Sequence, residues 1–83
     1  MRLRIPIGQP LSHKYEVVDV RLQDGSIVEN LVIDSFGLIL GKNVGGHDGV
    51  DESPLPFEQE DMGAYRFRAG LASRLGLAKW RRI

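Results

Sequence analysis

Residues 47–52 bring together side chains that could bind a metal ion or move a proton. One imidazole and three carboxylates fall within six positions: His47, Asp48, Asp51 and Glu52. Nitrogen and oxygen ligands of this kind suit a divalent cation, and His47 could act as a general base. However, the spacing matches no calcium loop, and no Ser/His/Asp arrangement accompanies it. We therefore predict a solvated loop with no cofactor and no catalysis, and keep a metal-dependent enzyme as the third alternative.

The segment Tyr65-Arg66-Phe67-Arg68 alternates aromatic and basic side chains. In a strand, this alternation places both rings on one face and both guanidinium groups on the other. The rings could stack nucleic-acid bases, but we favour burial, because a small barrel needs its phenylalanines, Phe36, Phe57 and Phe67, for core volume. Arg66 and Arg68 would then form a basic strip that contacts phosphates, an acidic protein or a neighbouring subunit. The strip is extended by Arg74, Lys79, Arg81 and Arg82.

Trp80 lies within the basic end of the sequence. A large ring in such a position either anchors a partner or packs back onto its own domain. We favour packing on its own domain and keep Trp80 as a candidate binding residue.

The charges of the chain balance but are unevenly placed. Eleven basic and eleven acidic side chains cancel, so no global field favours a nucleic acid or a membrane. Residues 48–61 contain six acids and no Lys or Arg, whereas residues 66–83 contain six basic residues and no acid. We expect the two segments to neutralise each other within the fold or across a subunit contact.

The elements that must position these residues are mostly strands. Apolar and polar residues alternate over Tyr15–Leu22, which predicts a half-buried strand. Asp24-Gly25 predicts a hairpin turn into a second strand, Ile27–Ile33. A turn at 34–37 leads to a third strand at 38–42, and residues 64–68 form a fourth.

The remaining segments are predicted to be less regular. We expect one domain over residues 1–83, beginning with an extended arm at 1–13 that is interrupted by prolines. Glycines and prolines predict a long loop at 43–56, the first place to look for a site. Apolar spacing over 70–82 predicts a short C-terminal helix or tail.

The composition limits both the core and the chemistry. A chain of 83 residues buries a small core, and such domains are usually supplemented by disulfides, metal or oligomerisation. The absence of cysteine excludes disulfides and thiol catalysis. No signal-like or membrane-spanning apolar run is present, so we expect a cytoplasmic protein with no membrane partner that forms a homo-oligomer.

Residues 17–42 resemble the first strands of Sm/LSm-like proteins. The match is carried by Val17–Asp34, where a strand, an Asp-Gly turn and a second strand follow one another as in that family. Asn30 stands where the family has a strand glycine. The resemblance implies an SH3-like small barrel, assembly into rings and RNA binding in the loop after the second strand. Asp34 would be the matching RNA-binding aspartate, and Phe36 lies in the same loop.

These observations predict a mainly β protein, either a small SH3/Sm-like antiparallel barrel or a strongly bent sheet, with a short C-terminal helix. The leading functional hypothesis is a non-catalytic binding or assembly module that self-associates. The alternative is RNA binding through Arg66 and Arg68 together with Asp34 and Phe36.

Overall fold

The structure is a computed structural model that describes residues 3–11, 14–45, 49–68 and 79–83. The regular elements of these residues are six strands and one 3₁₀ turn. In chain order they are β1 (Tyr15–Leu22), β2 (Ile27–Asp34), β3 (Ile39–Gly45), β4 (Gly49–Asp51), the 3₁₀ turn (Gln59–Asp61), β5 (Met62–Phe67) and β6 (Arg81–Arg82). The prediction of a mainly β protein is confirmed.

The six strands form one antiparallel sheet with the order β4-β3-β2-β1-β5-β6. The predicted meander of β1, β2 and β3 is confirmed, and β5 returns to pair with the other side of β1. Over the described residues the sheet is open, with β4 at one edge and β6 at the other.

The β1–β2 hairpin turns at Asp24-Gly25, as predicted. Gly25 has a φ of 91°, in the left-handed region that glycine adopts without strain. The Asp24 carboxylate accepts a hydrogen bond from the Ser26 amide at 2.9 Å, and the Leu22 amide donates to the Ser26 carbonyl at 2.8 Å. The turn therefore satisfies its own polar groups and fixes the register of the first two strands.

Irregular pairing bends the sheet. Register shifts occur in β1 between Val18 and Val20 against β2, and between Arg21 and Leu22 against β5. The β2–β3 and β3–β4 pairs carry further shifts. Each bulge increases local twist and curvature, so one face of the sheet folds around the core and the other face, which we call the outer face, points away from it.

The core of the described residues is built from most of the strands and from the arm. Its buried members come from the arm, from β1, β2, β3 and β5, and from the segment before the 3₁₀ turn: Ile5, Val18, Val20, Leu31, Ile33, Ile39, Phe57, Met62 and Tyr65. Phe67 packs against this cluster, and its ring meets that of Tyr65 edge-on at 5.7 Å between centroids. The prediction that Phe36 fills the core is wrong, because Phe36 is 62% exposed at the tip of a turn.

The described part of the N-terminal arm, residues 3–11, is docked on the rest of the fold. Ile5 is fully buried, and Arg4 forms an isolated bridge with Leu38. The Gln59 side chain bonds the backbone of Arg4 twice, accepting from its amide and donating to its carbonyl at 2.8 Å each. The amide group of Gln59 thus bonds the arm as a neighbouring strand would, and the arm adds Ile5 to the core.

Two segments for which the sequence predicts no strand contain strands in the structure. Part of the loop expected at 43–56 is strand, because β3 continues to Gly45 and β4 pairs back onto it. Residues 81–82 of the expected C-terminal helix form β6 instead, and Lys79 and Trp80 belong to no helix or strand. The rest of that predicted helix lies outside the described residues.

No helix in the described ranges has both the length and the apolar character needed to cross a bilayer.

Candidate functional site

A buried carboxylate lies at the centre of the outer face. Asp19 occupies the middle of β1, between two valines that point into the core, and is only 1% exposed. The Asn30 amide donates to its Oδ1 at 3.0 Å. A buried charge is stable only when it is paired and hydrogen-bonded. Asp19 therefore depends on the partners that surround it.

Two arginines of the predicted basic strip supply the pairing. Arg66 lies opposite Asp19 on β5 and donates from Nε to Oδ2 at 2.9 Å. Arg68 donates from Nη1 to Oδ1 of Asp19 at 3.4 Å and to Oε2 of Glu29 at 3.3 Å. The acids that neutralise the strip in these described pairs lie on β1 and β2. The sequence predicts that residues 48–61 neutralise the basic segment, but in these described pairs Arg66 and Arg68 bind Asp19 and Glu29 instead.

Asn30 and Asn43 continue the polar network onto β3. The Asn30 side chain donates to the Asn43 carbonyl at 3.0 Å, and the Asn43 side chain donates to Oδ1 of Asn30 at 3.2 Å. Asn30 has a φ of 65°, in the left-handed region where asparagine is the most tolerated residue after glycine. The polar network and the left-handed backbone at position 30 are therefore compatible with each other.

Trp80 lies on its own domain, beside the same network. The Arg66 guanidinium lies 4.6 Å from the centre of the Trp80 ring, and that of Arg21 lies 5.0 Å from it. Cation–π contacts of this kind hold the chain next to β5 just before β6 begins. The structure thus brings Arg66, Arg68 and Trp80 together, three of the five binding residues predicted from the sequence.

The outer face around Trp80 is basic. Directly paired residues of neighbouring strands share a face, so the pairs Arg21–Ala64 and Ala64–Arg82 place Arg82 on the same face as Arg21. We call this surface the basic face and define it by Arg21, Arg66, Arg68, Trp80 and Arg82. The basic face contains four arginines, and the two acids that pair with it in the described residues are Asp19 and Glu29. Together these side chains have an excess of two positive charges.

Asp34 and Phe36 belong to a separate part of the fold. The Asp34 carboxylate accepts hydrogen bonds from the amides of Phe36 at 2.9 Å and Leu38 at 3.0 Å, so it stabilises the β2–β3 turn. Asp34 pairs with the first residue of β1, whereas Arg66 pairs four residues further along. At a rise of about 3.3 Å per residue, this separates them by roughly 13 Å along the strand. The predicted RNA site is therefore divided between two locations.

The acidic residues after β3 lie at the opposite edge of the sheet. Asp51 ends β4 and Glu52 follows it, and both are exposed. Hydrogen bonds from the Ser53 hydroxyl and amide lower the pKa of Asp51 below 3.8. His47 and Asp48 lie outside the described residues, and among residues 3–11, 14–45, 49–68 and 79–83 there is no group of three potential metal ligands.

Among the described residues, the two outermost strands of the sheet therefore carry opposite charges, and we call their outer sides the free edges. We call Asp51 and Glu52 at β4 the acidic edge, and Lys79, Arg81 and Arg82 at β6 the basic edge. Four strands, β3, β2, β1 and β5, lie between the two edges, because the sheet order places β4 first and β6 last. The sequence predicts both charged segments but not their placement at opposite ends of one sheet.

Beside the acidic edge, the outer face is apolar. A groove of about 550 Å³ lies across β1, β2, β3 and β4, and we call it the outer groove. It is lined by Tyr15, Val17, Val32, Leu40, Asn43, Gly49, Val50 and Glu52. Tyr15 is 54% exposed at one end of it. The outer face thus has an apolar half that ends at the acidic edge and a basic half that ends at the basic edge.

Asp19, Asn30 and the outer groove are not anticipated from the sequence. The available signal for Asp19 is its type: a carboxylate between two valines in the middle of a strand is unfavourable unless it is paired. The alternating arginines of β5 could supply the cations that such a carboxylate needs. The spacing along the sequence, however, does not show that β1 and β5 are neighbours.

The chain was compared with protein-family models, curated proteins and solved structures, and no match was found in any of the three comparisons.

Proposed function

We propose that the protein is a non-catalytic binding module that self-associates head to tail, joining the acidic edge of one copy to the basic edge of the next. The observation that carries this proposal is the opposite charge of the two free sheet edges. A free edge offers unpaired backbone groups to another strand. Like edges of two copies repel each other through their charges, whereas unlike edges attract.

The small core supports the same proposal. Domains of this size gain stability from association, and the core cluster has nine buried members among the described residues. Because the proposed contact joins two different surfaces, it is heterologous and repeats from copy to copy. It closes into a ring or continues as a filament, depending on the angle between neighbouring copies. We propose that the bulged, bent sheet of the described residues is an open form of the predicted SH3/Sm-like barrel.

Sedimentation velocity tests this proposal. We expect oligomers at low ionic strength that dissociate as salt is raised towards about 1 M, where the Debye length falls to roughly 3 Å. Arg82→Glu should weaken association, and Arg4→Glu is the matched control, because it makes the same charge change on the exposed arm. A wild-type chain that stays monomeric at high micromolar concentration and low salt would overturn the proposal.

A second candidate function is binding of single-stranded RNA at the basic face. The observation that favours it is the contact of Trp80 with two guanidinium groups, within an excess of positive charge. Phosphates would pair with the arginines, and bases would stack on the planar groups. Retention of labelled oligo-U or oligo-A at low salt, weakened by Arg21→Ala and unchanged by Arg4→Ala, is the expected result. No retention at low salt would dismiss this function.

A further inference from the structure

The outer groove is a larger contact surface than the free strand edges. β4 has three residues and β6 has two, whereas a stable interface usually buries about 800 Å² on each partner. The outer groove extends over four neighbouring strands, and the described residues leave it open. Apolar surface of this kind marks a contact with another molecule.

A row of apolar side chains crosses the outer groove at right angles to the strands. Val17 of β1 pairs with Val32 of β2, and Val32 pairs with Gly41 of β3, next to Leu40. Directly paired residues share a face of the sheet, and Val17, Val32 and Leu40 all line the groove. We call these three residues the apolar row, and Val32 is its midpoint.

The two ends of the apolar row carry opposite charges. At the β4 end, Asp51 pairs with Lys42, so the next residue, Glu52, comes to the level of the row and lines the groove. At the β5 end, the Arg68 amide donates to the Val17 carbonyl at 2.9 Å, and the Arg68 side chain is 41% exposed. In the sheet order β4 and β5 are each two strands from β2. The acid and the cation therefore lie at equal distances from the midpoint of the row.

We propose that the outer groove is covered by the outer groove of a second copy, related to the first by a twofold axis that runs along β2 over Val32. Rotation about this axis turns the two faces towards each other and keeps the level along the strands. Glu52 of each copy then lies opposite Arg68 of the other, and Val17 lies opposite Leu40. This contact goes beyond head-to-tail association, because it joins two sheet faces and not two strand edges.

Charge complementarity identifies a second copy as the occupant. A twofold contact requires a surface that is complementary to itself. The apolar row meets this requirement, since its centre is apolar and one end carries an acid where the other carries a cation. Two copies therefore form two Glu52–Arg68 pairs, one on each side of the axis.

The exposed ring of Tyr15 supplies the projecting group that a groove needs. Tyr15 lies two residues before Val17 on β1, lines one end of the groove and is 54% exposed. In the rotated copy it lies above the groove on the β3 side, near Leu40. Trp80 takes no part, because β6 lies beyond the overlapping strands, and its ring stays on Arg21 and Arg66 of its own copy.

Sedimentation velocity of the full chain in about 1 M NaCl provides the first test, because the Debye length is then roughly 3 Å and contacts held by charge are screened. An apolar contact persists under these conditions, so we expect a dimer. Tyr15→Ser should raise the dimer Kd at least about tenfold, since each dimer loses two buried rings. Phe36→Ser is the matched control, because Phe36 is a 62% exposed ring that lies beside the arm and not in the groove.

Chemical cross-linking provides the second test, because the chain has no cysteine of its own. Packed sheets lie about 10 Å apart, so a bis-maleimide of about that reach should link Val17→Cys to Leu40→Cys when the two variants are mixed. Each variant alone should be linked less, since its two cysteines lie on opposite sides of the axis. Edge pairing gives no such link, because it holds the two positions many strands apart in one continued sheet.

Three results would overturn the face-to-face dimer. They are a chain that is monomeric at high micromolar concentration in 1 M NaCl, equal effects of Tyr15→Ser and Phe36→Ser, and cross-linking that is no greater in the mixture than in the separate variants. Each of them leaves the edge contact to its own test at low salt.

Discussion

Arg66 on β5 donates a hydrogen bond from Nε to Oδ2 of Asp19 on β1 across 2.9 Å, and the two residues are 47 positions apart in the chain. The Asp19 side chain is 2% exposed and that of Arg66 is 36% exposed. The carboxylate is therefore buried beneath a cation that still reaches water. This contact joins the β1–β2 hairpin to the strand that carries the basic face.

Removing the charge of Asp19 should destabilise the fold. Asp19→Asn keeps an acceptor for the Asn30 amide but loses the ion pairs with Arg66 and Arg68, and we expect the free energy of unfolding to fall by about 1–3 kcal/mol. Urea denaturation measures this. Glu29→Gln removes an exposed partner of Arg68 and should change stability by less than about 0.5 kcal/mol. Equal stability of Asp19→Asn and wild type would contradict the role given to this carboxylate.

Substitution of Gly37 should disturb the packing of the N-terminal arm. Its φ is 88°, and an added Cβ would lie 2.2 Å from the Ile5 carbonyl oxygen. Gly25 has a similar φ of 91° with open space around it, so Gly25→Ala isolates the backbone strain, about 1–2 kcal/mol. Gly37→Ala should cost at least about 1 kcal/mol more, since the arm must move. It should also speed hydrogen exchange at the Ile5 and Ile39 amides, which bond across this junction.

Comparable costs for the two glycine substitutions, with the Ile5 and Ile39 amides still protected, would show that the arm is not held by this close approach.

Trp80 should hold β6 on the sheet. Trp80→Ala removes the contacts with Arg21 and Arg66, each worth about 0.5–1 kcal/mol at an exposed site. Hydrogen exchange of the Ile83 amide, which donates to the Gly63 carbonyl at 3.1 Å, should become faster. Trp80→Phe keeps an aromatic face and should retain part of the protection. Exchange at Ile83 that is the same in wild type and Trp80→Ala would rule out this role.

The β1–β2 turn should respond to acid at Asp24. Hydrogen bonds from the Ser26 hydroxyl and amide hold the pKa of Asp24 below its ordinary 3.8. Because the folded pKa is lowered, folding favours the ionised form, and this contribution is present above pH 3.8 and is lost as pH falls through the lowered value. In Ser26→Ala the pKa should rise towards 3.8, as followed by carboxyl NMR. Ser53→Ala is the control, since it should move Asp51 alone.

The sequence predicts those parts of the fold that depend on neighbouring residues. Asp24-Gly25 specifies its turn through φ and a local hydrogen bond, so β1 and β2 follow from the spacing. β4 could not be predicted, because three residues that include a glycine gain strand geometry only by pairing with β3. Phe36 was assigned to the core from its type, but the turn that Asp34 caps points it into solvent.

The candidate site was predictable in its residues and not in its arrangement. Alternation over β5 correctly separates Tyr65 from Arg66, and the ring of Trp80 does lie on its own domain. The pairing of Arg66 with Asp19 depends on which strands become neighbours, which is a long-range outcome of packing. The opposite charges of the two sheet edges follow from the same strand order.

Head-to-tail association is tested most directly by mixing two charge-reversed chains, Glu52→Arg and Arg82→Glu, in sedimentation velocity at low salt. Each variant alone should associate more weakly than wild type, because Glu52→Arg brings the acidic edge from two negative charges to none and Arg82→Glu brings the basic edge from three positive charges to one. The mixture should associate more strongly than either variant alone, since the intact basic edge of Glu52→Arg meets the intact acidic edge of Arg82→Glu. A mixture that sediments as the sum of the two separate variants would contradict the assembly of this protein through its oppositely charged edges.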